Sequence, residues 1–329
     1  MEVFFIFLTS PRLLSYSQNP ENVLLCHCGL DPESISRFLQ WIPVCTGMTI
    51  WKCSKVSWRQ WQERIIHFFD HIKGKLEKGG IFMTEGVEKP EDLAQKDLAR
   101  LVVDMFHRVM VHHTLWFCQV EYQMGMKKAL GVQKDAWTNS YAIQMKRLAE
   151  IFGFQMEDGI PKILLDMPRE ALIRLMGDIS KNWLAGDGVW FQAVESQYGI
   201  WDAKRCNDSC WTRFSPFEAW SIKQFLGLPE EAGIEGLKKA LQFRLYARIN
   251  VQSIIDEPNG IVFQMNDCRV QAARKRRGLE DYPCKSAGLV EYSSFAETID
   301  NRIRTTCIGC PPDTHPEDWF CAWRFTLPQ

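Results

Sequence analysis

Five of the twelve cysteines lie close together near the C-terminus: Cys268, Cys284, Cys307, Cys310 and Cys321, with 15, 22, 2 and 10 residues between successive members. The Cys307-Ile308-Gly309-Cys310 spacing, on a glycine turn, lets two sulfurs face one ion. Cys268 and Cys284 each precede a predicted helix, where the dipole and free N–H groups favour thiolate, and each has a cation beside it, Arg269 and Lys285. No export signal is recognisable, so this spacing reads as metal or redox chemistry rather than disulfides. Four sulfurs suit a tetrahedral zinc ion or an iron–sulfur cluster. The second C-x-x-C of a zinc ribbon is missing, which leans away from that fold. Cys307 and Cys310 are the ligands expected of any metal, with Cys268 and Cys284 next. Cys321 is the fourth ligand if Cys284 is not, or else a free thiol whose replacement matters less. His315 is a conceivable fifth ligand. The plainer readings are a thiol site without metal and buried cysteines acting as small apolar residues.

Two further groups are chemically suggestive. Arg269, Arg274, Lys275, Arg276 and Arg277 form a basic run beside Cys268, and Arg244 and Arg248 fall on one face of the preceding helix. Together they could hold a phosphate, a carboxylate substrate or RNA; a solvated helix face is the plain alternative. Upstream, His112, Glu121, Asp187 and Glu195 are candidates for a cleft between helices. The plain alternative there is that Trp116, Trp190 and the adjacent phenylalanines build a core and each glutamate satisfies a buried donor.

The elements that must position these residues come in two kinds. Residues 98–154 align without gaps on 172–228 at an offset of 74, with 14 identities in 57 positions, among them Trp116/Trp190, Glu121/Glu195, Gly125/Gly199, Trp137/Trp211 and Gly153/Gly227. This is a duplication. Each copy reads as three helices, the first closed by Gly125 or Gly199. The third helix of the second copy is expected to start at Pro216, with Ser215 as N-cap and Glu218 completing a capping box. The two copies are expected to pack as a helical bundle. A linking helix follows at 233–249. The periodicity then changes to a hairpin at 251–256 and 261–264, helices at 270–277 and 287–298, and strands at 302–307 and 320–327. The fold class is therefore α+β: a duplicated all-α bundle (90–160 and 168–249) followed by a small Cys-rich domain at 250–329 of order ββααββ.

The whole chain is compatible with that plan. Hydrophobic residues at 46% and charged residues at 24% fit a globular protein, and 39 basic against 40 acidic residues give no bulk attraction to nucleic acid or anionic membrane. No apolar run is long enough to span a bilayer. Phosphate-loop, dinucleotide, zincin and nucleophile-elbow motifs are absent. The first 82 residues read as a leader outside the fold. Glu77-Lys78-Gly79-Gly80 is encodable as a ribosome-binding sequence ahead of Met83, which makes Met83 the expected start; otherwise His67 and His71 form a chelating i,i+4 pair.

Two resemblances add to this. Residues 26–49 resemble a translated bacterial intergenic repeat. Residues 172–327, through the blocks NWLAGDGVWFQAVE, KKALQFRLYARIN, MNDCRVQAARKRRG, YPCKSAGLVEYSSFA and TTCIGCPPDTHPEDWFCAW, resemble an uncharacterised prokaryotic family labelled as a domain of unknown function or "cytosolic protein". That resemblance implies a cytoplasmic location and no established activity. The layout is also loosely similar, at fold level only, to aminothiazoline-carboxylate hydrolase-like and vinyl-reductase-like small-molecule domains. The expected function is a cytoplasmic metalloprotein with a Cys-bound iron–sulfur cluster or zinc, binding or transforming a small molecule. Alternatives are a hydrolase-type enzyme using a Cys nucleophile or metal, and an RNA-associated module using the 269–277 helix. A nucleic-acid partner is disfavoured by the charge balance, no membrane partner is expected, and protein partners are open.

Overall fold

The computed structural model describes residues 87–328 except Arg277 and Leu279. The leader at 1–82, the start at Met83 and the His67/His71 pair lie outside the described residues, as does the last arginine of the basic run. The chain divides into two compact units, Met1–Phe106 and His107–Gln329. Of the first, the described part is a 3-10 turn at Pro90–Asp92 and the opening of the first long helix, where Arg100 pairs with Asp97 at 2.8 Å.

The duplication is visible in the element boundaries. Helix α1 (Gln95–Met124) and helix α2 (Met126–Phe152) have 30 and 27 residues. A two-strand hairpin, β1 (Met156–Glu157) and β2 (Ile160–Pro161), and a short helix α3 (Lys162–Leu165) follow. Helices α4 (Arg169–Tyr198) and α5 (Ile200–Leu226) then repeat the 30 and 27 residues. A single glycine joins each pair, Gly125 at φ 82° and Gly199 at φ 91°, a backbone conformation closed to most L-residues. Gly153 and Gly227 close both copies as left-handed caps.

Each copy therefore has two helices, not three. The segments read as separate second and third helices run together, through Gly131 in α2 and through weak helix formers at 206–215 in α5, so packing rather than local propensity sustains them. Pro216 lies inside α5 rather than at a first turn. It forfeits the bond to the Thr212 carbonyl, a loss that surrounding packing must offset. Ser215 is no cap: its hydroxyl donates to the carbonyl of Glu291 at 2.5 Å, on a later helix.

After α5 the chain forms α6 (Gly233–Phe243), which ends sooner than the periodicity suggests because Arg244 turns to extended backbone (ψ 151°) ahead of a 3-10 turn at Leu245–Arg248. Then come β3 (Val251–Glu257), β4 (Gly260–Asp267), α7 (Arg269–Lys275), α8 (Lys285–Ile299), β5 (Arg304–Gly309) and β6 (Cys321–Thr326). This is the expected ββααββ order. The four strands make one antiparallel sheet, β3-β4-β6-β5, with Ile261 opposite Phe325, Phe263 opposite Trp323 and Met265 opposite Cys321.

Helix α8 lies between this sheet and α5. Tyr292 stacks on Trp323 with ring centroids 4.8 Å apart, and Phe295, Ala296 and Ile299 are fully buried with Ala219, Leu237 and Leu241. Small residues permit the approach: a Cβ on Gly288 would sit 2.6 Å from the Trp323 ring. Lys223 of α5 donates to the carbonyls of Thr298 and Ile299, closing the C-terminus of α8 with a cation.

Gly260, at the end of the connection between β3 and β4, carries a constraint beyond the turn itself. A Cβ there would land on the carbonyl oxygen of Phe325 in β6. Gly260→Ala is expected to destabilise the protein by about 1–3 kcal/mol, since strand backbone must move to make room. Chemical denaturation measures it, and a change within a few tenths of a kcal/mol would contradict this packing.

The tryptophan reading also needs correction. Trp116 is 59% exposed and Trp190 75% exposed, so neither builds a core. Trp211 does, at 4% exposure, within a ring cluster formed with Trp183, Phe214 and Tyr246. Its counterpart Trp137 is 55% exposed.

Candidate functional site

All five C-terminal cysteines belong to one side and one end of the sheet. Cys321 opens β6, directly opposite Met265 near the end of β4, and Cys307 on β5 faces Trp323, so both point toward the α8 side. Cys268 follows β4 and caps α7, Cys284 caps α8, and Cys310 follows β5. Cys321 lies close enough to Cys268, Cys284, Cys307 and Cys310 for its charge to bear on each. Cys321 therefore stands with the other four rather than apart from them.

Polar side chains brace the loops that carry these thiols. Gln271 accepts from the backbone N–H of Tyr282, donates to its carbonyl, each at 2.8 Å, and donates to Cys284 Sγ at 3.2 Å. Lys285 donates to both carboxylate oxygens of Asp313, whose Oδ2 accepts from the N–H of Cys310, while the Lys285 N–H donates to the carbonyl of Pro311. The sequence reading found neither brace; the polar Gln271 on the buried side of a short helix was the available signal.

The thiols are not activated in the way their helix positions suggest. Burial pushes Cys268 up to about 11 and raises Cys284 well above the ordinary thiol range. Desolvation outweighs the helix dipoles because few charges of opposite sign reach the sulfurs. His315 is committed elsewhere: Nε2 is 2.8 Å from Asp281 and Nδ1 is 2.7 Å from the carbonyl of Pro316. Burial opposes its charge, yet two acceptors leave both ring nitrogens as donors and raise its pKa.

Behind the cysteines stands a buried ionic group. Arg244 is 2% exposed and contacts Glu218 at 2.9 Å and Glu291 at 2.7 Å, with its guanidinium 4.7 Å from the Phe295 ring centroid. The Glu291 contact is close but not aligned as a hydrogen bond. Burial pushes Glu291 up to about 7 despite Arg244 beside it. Arg244 is therefore not part of a surface basic patch. Arg248 is exposed and donates to the carbonyl of Gln242, Arg274 donates to that of Glu280, and Arg269 is exposed.

The helical candidates separate. His112 is exposed and lies edge-on to Trp116; it is His113 that turns inward, 3.3 Å from Gln133. Glu121 pairs with Arg213 at 3.0 Å beside a cleft between α1, α2 and α5. Asp187 bonds Asn207 at 3.2 Å and burial raises its pKa. Its charge reaches both Cys210 on that cleft and Tyr282, and Glu195 bears on Tyr282 as well. The two repeat-related glutamates therefore serve different surroundings.

A protein-family model matches this chain twice, over residues 91–167 and 165–327. The chain belongs to that family. It is described as a family of unknown function (DUF6125). The first match spans a helical pair alone and the second a helical pair with the α+β domain, so the family's own unit recurs in the duplication. No curated protein and no solved structure matches the chain. Among the described residues, no helix is long and apolar enough to cross a membrane.

Proposed function

We propose that the α+β domain holds a thiolate-bound metal, an iron–sulfur cluster or a zinc ion, and that the protein binds or transforms a small molecule. The observation that carries this reading is the gathering of Cys268, Cys284, Cys307, Cys310 and Cys321, from the ends of β4, β5, β6 and α8, at one end and one side of the sheet. A donor set of soft sulfurs fits either group. Among the described residues no three donors already stand as a metal shell, so loading must turn cysteine side chains inward. The braces of Gln271 and Lys285 hold the Cys284 and Cys310 backbones while that happens. When bound, zinc would cross-link the strand and helix ends, and a cluster would add one-electron chemistry.

Metal analysis of protein purified without oxygen tests it. Stoichiometric zinc in a colourless protein, or iron with sulfide and broad visible absorption, is the expected result. Less than a tenth of an equivalent of either, before and after reconstitution, would refute it.

A further inference from the structure

The cleft between α1, α2 and α5 has a volume of about 1120 Å³. Small-molecule sites commonly run to about 300–1,000 Å³, so this one has room for a molecule of several rings. Its exposed wall area is mainly apolar, and six of the lining residues are Phe, Trp or Tyr. Phe214, Phe217 and Trp220 form a ladder along α5 with centroids 6.3–6.4 Å apart, and Phe117 of α1 meets Phe217 edge-on at 5.9 Å. Trp137 of α2 supplies another wall. Two of the polar groups beside them are already paired, Arg213 with Glu121 and His113 with Gln133, and the remaining charged lining residue, Lys134, is exposed. An uncharged ligand leaves those pairs intact and the Lys134 ammonium in water.

The duplication shows what belongs against such a wall. In the second copy, Trp211 stacks on the Tyr246 ring, 5.9 Å away and within 10° of parallel, and becomes buried. Trp137, its counterpart, meets only Tyr141 among the ring contacts of the described residues and stays 55% exposed. Where Trp211 is covered by a ring, its counterpart Trp137 lines the cleft.

We propose that this cleft is a binding site for an uncharged, flat, multi-ring apolar molecule, stacked between Trp137 and the Phe214–Phe217–Trp220 ladder. The site lies outside the cysteine domain, and its occupancy does not depend on whether that domain holds metal.

Titration of the full chain with N-phenyl-1-naphthylamine, an uncharged two-ring probe with an appended phenyl, tests the proposal. Ser209 and Thr138 are exposed residues on facing walls of the cleft. Saturable binding at one equivalent is expected, falling at least tenfold in both Ser209→Trp and Thr138→Trp. Trp190→Ala, which removes an exposed ring outside the cleft, is expected to leave it unchanged. Circular dichroism checks that each variant folds. Absence of saturable binding, or equal binding in both filled variants, would overturn the proposal. So would a dimer that either filled variant dissociates, since the cleft would then be an interface between copies.

Discussion

Arg244→Met is expected to cost the fold about 3–5 kcal/mol, the scale of breaking a buried ion pair from one side. The substitution keeps most of the apolar volume against Tyr246, Tyr292 and Phe295 but leaves Glu218 and Glu291 facing each other without their cation. The pH dependence has a definite sign. Glu291 titrates at about 7 in the folded protein, above its ordinary 4.5. A carboxyl raised in this way contributes stability fully below its unfolded pKa and loses it as pH rises through the folded value. Removing Arg244 takes away a lowering influence on that carboxyl, so the penalty should be smaller at pH 5 than at pH 8. Adding Glu291→Gln to the variant should recover part of the loss, because the amide carries no charge to desolvate. Urea denaturation at both pH values measures this. A loss below about 1 kcal/mol at pH 8 would mean that the guanidinium is not the counter-ion of this group.

That network marks the limit of what residue patterns reveal. The duplication, the α+β class and the ββααββ order were legible, because repeats and changes of period are properties of the chain itself. Helix continuity was not. Pro216 ordinarily signals a start, and only the packing of α5 on α8, with Ser215 bonded to Glu291, shows why it is tolerated mid-helix. Glu218 and Arg244 looked like a capping residue and a surface cation. Their pairing spans 26 residues and is fixed by where α5 and the turn after α6 meet, which no local spacing encodes. The Asp158-Gly159 hairpin was readable and missed: both residues have positive φ, as Asp-Gly does in a tight hairpin turn. The exposed Trp116 and Trp190 failed for a different reason. Helical spacing identifies an apolar face but not whether anything covers it.

The cysteine group was legible as a set but not in its internal ranking, and the ranking is testable. Spacing favours Cys307 and Cys310 and leaves Cys321 at the margin. The fold places Cys321 at the start of β6, close enough to Cys268, Cys284, Cys307 and Cys310 for its charge to bear on each. If the domain holds metal, Cys321→Ser should abolish binding as completely as Cys310→Ser. The binding free energy at stake is on the order of 10 kcal/mol for a closed structural site. A purely structural defect predicts a different pattern. Serine is nearly isosteric, so the metal-stripped variant should melt within a few degrees of metal-stripped wild type. Only the metal-dependent rise in melting temperature should vanish. The comparison therefore needs four melting curves, wild type and variant, each loaded and stripped, with metal content measured on the same samples. Full stoichiometric metal in Cys321→Ser would remove Cys321 from the shell and return the centre to Cys307 and Cys310. An equal drop in the loaded and stripped pairs would make it a packing residue and nothing more.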